Sequence, residues 1–126
     1  MRFNLPYPLS LNNAFANVPG RGRVKTKAYR DWSTEAGWRI NAAKRIKKPL
    51  ISELSLHLFV TKKYRGDLDN TLKPVLDALE KNGIIKNDRQ FKRITVEAAD
   101  VENMICLVSA LNSSDVEGVN SPANDD

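Results

Sequence analysis

The stretch Asp67-Leu68-Asp69-Asn70-Thr71-Leu72-Lys73-Pro74 carries the residue types and spacing best suited to chemistry. In extended backbone a spacing of two turns side chains to the same side, so Asp67 and Asp69 would present their carboxylates together. Two convergent oxygen donors suit Mg²⁺, which keeps several waters and takes only one or two carboxylates beside the phosphate oxygens of a substrate. A helix beginning just after them offers free backbone N–H groups and the positive end of its dipole, a seat for a phosphate. Lys73, in the first turn of that helix, supplies a point charge for a pentacovalent phosphorane-like transition state. Asp88, in the polar segment Lys86-Asn87-Asp88-Arg89, is recruited as a third carboxylate because the chain must return toward a sheet there. The competing reading is that Asp67 and Asp69 cap a helix, as Asp commonly does. Against it, two acids exceed what one cap requires, and the pair adjoins a basic run. Asp77, four residues before Lys81, reads as half of an ordinary exposed ion pair.

The elements that must position these residues follow from hydrophobic periodicity. Residues 2–8 read as a short strand with Phe3, Leu5 and Tyr7 on one face. Residues 9–26 form a polar, Asn- and Gly-rich loop, long enough to be functional. From about Lys27 to Lys47, Ala28, Trp32, Ala36, Ile40, Ala43 and Ile46 recur at helical spacing, with the Lys44, Arg45, Lys47 and Lys48 cluster at the C-terminus complementing the dipole and Pro49 ending the helix. Leu54, Leu56, Leu58 and Val60 alternate with polar or less buried positions as in a half-buried strand, which leaves His57 on the more polar face. With no second histidine near it to build a metal set, His57 reads as a surface residue.

A second helical stripe, Leu68, Leu72, Leu76 and Leu79, runs to the cap pair Asn82-Gly83 and the capping hydrophobe Ile84; Pro74 requires that helix to begin near Asn70 or Thr71. Ile94, Val96 and Ala98, then the apolar run 104–111, are expected to pair as an antiparallel hairpin through a turn at Asp100 to Asn103. The order β-α-β-α-β-β predicts an α+β domain over residues 1–111, helices packed on a small mixed sheet. Residues 112–126 hold Asp115, Glu117, Asp125 and Asp126, no basic residue and almost no large apolar one, the composition of a disordered acidic tail.

A chain of 126 residues is one domain, and 41% hydrophobic with 28% charged residues is a soluble globular composition. No apolar run approaches a membrane span and the N-terminus lacks a signal-peptide core, so the expected setting is cytoplasmic, with no membrane partner. The one cysteine, Cys106, sits in an apolar run and reads as a buried small hydrophobe. Charge is distributed unevenly: residues 1–66 carry 14 Lys/Arg against 3 Asp/Glu, residues 67–126 carry 6 against 12. Arg21, Arg23, Lys25, Lys27 and Arg30, followed later by Lys62, Lys63 and Arg65, point to a polyanionic partner whose phosphates they neutralise, the alternative being a merely solvated basic surface.

Asp67-Leu68-Asp69-Asn70-Thr71 also looks like the D-x-D-x-T nucleophile motif of haloacid dehalogenase-type phosphatases. There the motif follows directly on a buried strand; here Thr61 to Gly66 intervene and too few residues follow for such a fold. The fuller match is elsewhere. Asp67-Leu68-Asp69-Asn70 with Lys73, Leu76-Asp77-Ala78-Leu79, Asn82-Gly83-Ile84-Ile85 and Asp88, together with Pro6-Tyr7-Pro8-Leu9-Ser10-Leu11-Asn12-Asn13 and Lys27-Ala28-Tyr29-Arg30, resemble the RusA-type Holliday junction resolvases over about residues 3–110. These are small endodeoxyribonucleases often carried by prophages.

The resemblance implies a Mg²⁺-dependent homodimer acting on branched DNA in recombination and repair. Asp67, Asp69 and Asp88 would bind one or two Mg²⁺ ions, with Mn²⁺ as a substitute, Lys73 would assist catalysis, and no organic cofactor is needed. Asn87 departs from the pattern, since members commonly carry a second Asp there. Two alternatives remain open: a non-catalytic DNA-binding or architectural protein, and a metal nuclease acting on flaps or single strands.

Overall fold

The structure, a computed structural model, describes residues 1–111 apart from the side chains of Leu11 and Asn12; the expected acidic tail lies outside the described residues. Four strands form one mixed sheet: β1 (Arg2–Leu5), β4 (Leu54–Thr61), β5 (Phe91–Ala99) and β6 (Met104–Ala110), in the order β1-β6-β4-β5. Two helices, α2 (Lys27–Ala43) and α3 (Leu72–Lys81), supply the apolar layer against it. The α+β class with a mixed sheet is as the sequence predicts.

The alternation in β4 is realised in full, with Leu54, Leu56, Leu58 and Val60 all buried. Burying one such side chain is worth roughly 1.5–3 kcal/mol, so a strand carrying four of them gains most from a neighbour on each side. That gain overturns the expected hairpin. β5 pairs parallel with β4, and β6 pairs antiparallel with β4 on its other edge and with β1 beyond. The connection between β5 and β6 passes the end of β4, where Thr61 N donates to Asn103 O and Lys62 N to Ala99 O. β5, with Lys92, Arg93, Ile94, Thr95 and Glu97 all exposed, suits an edge; β6, which buries Met104, Cys106 and Val108, does not. Because β4 and β5 run parallel, they need a crossover, and α3 provides it.

Other boundaries move for local reasons. β1 stops at Leu5, since Pro6 cannot extend the ladder, and Tyr7 is 48% exposed instead of sharing the buried face of Phe3 and Leu5. The long loop expected over 9–26 holds a short helix, α1 (Leu11–Ala14), and a hairpin, β2 (Phe15–Val18) with β3 (Gly22–Lys25). Gly20 and Gly22, at φ 79° and 72°, make its turn. Thr26 caps α2 by accepting from Tyr29 N, which starts the inward stripe at Tyr29, leaves Ala28 exposed, and continues through Trp32, Ala36 and Ile40. α2 ends at Ala43, so the Lys44 cluster lies beyond its last turn; Lys44 Nζ donates to Asn82 O and Arg45 to Ala43 O. Gly83, at φ 77°, closes α3 as the Asn-Gly cap predicts. Cys106 is fully buried, and burial pushes its thiol up to about 12, which keeps it unreactive. Among the described residues no helix is long and apolar enough to cross a membrane.

Candidate active site and nucleic-acid interface

Beyond β4 the chain turns at Thr61, where Tyr64 N donates back to Thr61 O, and enters a 3₁₀ turn, Leu68–Thr71, that runs into α3. Tyr64 organises this passage. Its ring meets Tyr7 edge-on at 6.2 Å and lies on the backbone of Gly66, where an added Cβ would come within 2.3 Å of Tyr64 Oη. Only glycine therefore lets the ring seat just before Asp67. Burial raises the Tyr64 phenol above its usual value; the Ser10 hydroxyl pulls the other way and the Asp67 charge adds to the rise. Tyr64 Oη is buried, and no group among the described residues meets it in regular hydrogen-bond geometry, Ser10 included.

Asp67 is extended (φ −71°, ψ 134°), but Asp69 sits inside the 3₁₀ turn, so the shared side expected from an extended pair does not apply. The same turn uses the donors expected at the start of α3: Leu72 N donates to Asp69 O and Asn70 N to Asp67 O. The N–H groups outside the ladder are thereby moved forward, to Leu68 and Asp69. Asp67 occupies the cap position, yet its carboxylate makes no capping hydrogen bond. The capping account of this aspartate thus fails.

Asp88 opens a second 3₁₀ turn, Asp88–Gln90. Its cap is Asn87, whose side chain accepts from Arg89 N at 2.8 Å while Gln90 Oε1 accepts from Asn87 N at 2.9 Å. The departure at Asn87 consequently has a structural role, and the neighbouring Asp88 carboxylate is left free of it. Among the described residues Asp67, Asp69 and Asp88 make no side-chain hydrogen bond or ion pair, and no three acidic, histidine or cysteine side chains close into a metal-holding group. Mg²⁺ does not require such a cage. It takes one or two carboxylates and completes its shell with water and phosphate oxygens, so unpartnered hard oxygen donors fit it.

Lys73 lies in the first turn of α3 with its Nζ 2.8 Å from Asp77 Oδ1. This corrects the expected Asp77–Lys81 pair: both lysines stand four residues from Asp77, and Lys73 takes it. The hydrogen bond to Asp77 raises the Lys73 pKa, partial burial opposes, and the charges of Asp77, Asp88 and Glu80 add to the rise. Lys73 is a permanent cation near neutrality, and Asp88 lies close enough for its charge to be felt there. Asp77 Oδ2 accepts from the Tyr29 hydroxyl at 2.7 Å.

The basic residues divide into two sets. Lys62, Lys63 and Arg65 are exposed on the turn that leads directly to Asp67, Lys62 lying 4.0 Å from Asp100. Arg21, Arg23 and Lys25 belong to the β2–β3 hairpin. The Arg23 guanidinium lies 4.3 Å over the Phe15 ring and the Lys25 ammonium 4.9 Å over Tyr29, while Phe15 and Tyr29 meet edge-on at 5.5 Å. Aromatic faces thus hold these two cations in place without neutralising them. Lys27 is paired with Asp31, and Arg30 donates to Lys25 O, so these two brace the hairpin–helix junction. His57 pairs with Glu97 and stacks on Phe59 at 4.2 Å, in keeping with a surface role.

Replacing Arg21, Arg23 and Lys25 together by Ala should weaken DNA binding and reduce the slope of log affinity against log salt by about 0.9 for each phosphate no longer neutralised. Titrations at several salt concentrations measure it; an unchanged slope assigns the hairpin to some other task.

Sequence reasoning missed Phe15 and, although Lys27-Ala28-Tyr29-Arg30 carries part of the family resemblance, assigned Tyr29 no role, because nothing local marks a tyrosine as the partner of an aspartate 48 positions away. It also missed Tyr64, for which the only signal was the glycine two residues later.

Free carboxylates, a lysine kept charged, and cations mounted on a hairpin are thus carried by one α+β scaffold. The chain belongs to the RusA endodeoxyribonuclease family, whose family model matches residues 6–106. A search of curated proteins by sequence finds no match.

Proposed function

We propose that this protein is a structure-selective endodeoxyribonuclease that resolves four-way (Holliday) junctions by Mg²⁺-dependent phosphodiester hydrolysis, in DNA recombination and repair. The observation that supports it most directly is that Asp67, Asp69 and Asp88 keep carboxylates without a hydrogen bond or ion pair among the described residues, the charge of Asp88 reaching Lys73, in a chain of this family. A divalent ion held by these aspartates, Mg²⁺ or Mn²⁺, would supply activation of water and neutralisation of phosphate charge. Lys73 stabilises the negative charge that develops on the phosphoryl oxygens. The hairpin cations Arg21, Arg23 and Lys25 and the turn cations Lys62, Lys63 and Arg65 bind the backbone, with Lys27 and Arg30 at the base of the hairpin. The products are 5′-phosphate and 3′-hydroxyl ends, which a ligase can seal.

Resolving a junction takes two related nicks and one chain carries one carboxylate set, so a two-fold homodimer matches the two-fold substrate. The sheet face opposite the core carries half-buried Phe59, Ile105 and Leu107, with Phe59 beside Ile105 and His57 beside Leu107 in register. None of the three packs against the core cluster, which leaves this face for a second copy.

The test is a panel of synthetic junction, flap, duplex and single-stranded DNA, with and without Mg²⁺. Paired symmetric nicks in the junction alone, abolished by chelation, are the expected result. Preferential cutting of flaps or single strands would make this a different metal nuclease, and junction binding without cleavage in any divalent metal would make it a non-catalytic binder.

A further inference from the structure

Among the described residues, Asp77 is the one carboxylate of the α3 region with both oxygens engaged: Oδ1 accepts from Lys73 Nζ at 2.8 Å and Oδ2 from Tyr29 Oη at 2.7 Å. Those partners remove it from the pool of metal ligands and give it a different task. An exposed ion pair at this spacing ordinarily contributes little, because two flexible chains must be held in one geometry. Here one arm is not flexible. Tyr29 is 2% exposed, its ring meets Phe15 edge-on and carries the Lys25 ammonium over its face, and its hydroxyl comes from α2 and not from α3.

The placement of Lys73 points the same way. A cation in the first turn faces the positive end of the helix dipole, and a lysine four residues before its acid is the weaker order for helix stability. Selection for a stable helix would reverse the pair. The arrangement makes sense as a means of holding a charge at one point. A lysine stem is rich in rotamers, and a pre-set carboxylate removes that freedom before the reaction instead of during it. A hollow of about 380 Å³ lined by Lys25, Tyr29, Ser33, Asp77, Glu80 and Lys81 adjoins the pair, so the last cation of the hairpin shares this environment.

We propose that Asp77 and Tyr29 are positioning residues for Lys73: Tyr29 Oη fixes the Asp77 carboxylate, and Asp77 fixes the Lys73 ammonium where the transition state needs it. This rests on the reading of Lys73 as the group that acts on the reacting phosphate. Neither Asp77 nor Tyr29 touches DNA or metal in this scheme.

The experiment measures single-turnover nicking of a synthetic junction in Mg²⁺, together with junction Kd and melting temperature, for Asp77→Asn and Tyr29→Phe, each alone and combined with Lys73→Ala. Mispositioning of the cation should lower the rate about tenfold in Asp77→Asn and about threefold in Tyr29→Phe, with Kd within about twofold of the starting protein. In the Lys73→Ala background neither change should lower the rate further, because residues acting through one group are non-additive. Equal fractional losses in both backgrounds, or no loss in either single variant, overturn the proposal. Tyr29→Phe keeps the buried ring and removes one oxygen, so it decides the matter if Asp77→Asn melts early. Failure of the underlying reading looks different: Lys73→Ala itself would then nick at the unmodified rate.

Discussion

Asp69→Asn should fold normally, bind junctions as well as the unmodified protein or better, and nick them slower by a factor on the order of 10² or more. The substitution keeps side-chain size, and Asn caps helices about as well as Asp, so a capping role for Asp69 would leave every measurement nearly unchanged. The exposed side chain, without a hydrogen-bond partner among the described residues, gives little reason for a change in melting temperature. Removing one negative charge from a surface that meets phosphates lowers repulsion, hence the retained or tighter binding. Asp67→Asn and Asp88→Asn should follow the same pattern. Nicking rate in Mg²⁺, junction affinity in the presence of a chelator, and thermal melting together separate chemistry from binding and folding. A variant that folds and nicks near the unmodified rate removes Asp69 from the site.

The second large effect is expected at Lys73. Loss of a preorganised charge aimed at a developing oxyanion costs about 10²–10³ in rate, some 2.7–4 kcal/mol of transition-state stabilisation. Lys73→Ala should show that loss with the apparent Mg²⁺ requirement unchanged, because in the proposed scheme the ammonium acts on the phosphate and not on the ion. Stability should hold or rise slightly. The pair with Asp77 is half exposed and worth little, while a cation at the helix N-terminus is unfavourable in the first place. Nicking rate against Mg²⁺ concentration is the measurement. A shifted Mg²⁺ midpoint with an unchanged maximal rate would instead make Lys73 part of the ion's surroundings.

Much of the candidate site is legible in the sequence because it is local. Asp67, Asp69 and Lys73 lie within seven residues, and whatever the strand order, that stretch joins β4 to α3. The period of two in Leu54 to Val60, and the 3.6-residue stripes of α2 and α3, likewise depend only on which face meets a core. One local error was a single position: the stripe of α2 begins at Tyr29 and not Ala28, because the Thr26 cap sets where the helix starts. Another was an aspartate taken as extended that joins a 3₁₀ turn, since a turn of four residues has no periodicity to read.

Residue pattern alone was enough for the class of fold, for the family, and for singling out a candidate stretch and an excess of cations in the first half of the chain. Competition between distant partners was resolved only once the chain had packed. Ile94, Val96 and Ala98 alternate as well as any strand, yet whether β5 pairs with β6 or with β4 was settled by the larger apolar face of β4 claiming both of its edges. Asp77 stands four residues from two lysines, and only the Tyr29 hydroxyl arriving from α2 shows which geometry is held. Asp67 and Asp88 look alike as turn acids, but their freedom from capping rests on hydrogen bonds made or left unmade around them, Asn87 taking one cap and the Asp67 side chain declining the other. Local pattern specifies which face of a segment turns inward; which segments then meet is a comparison of buried areas and satisfied donors across the whole chain, and no single stretch carries that comparison.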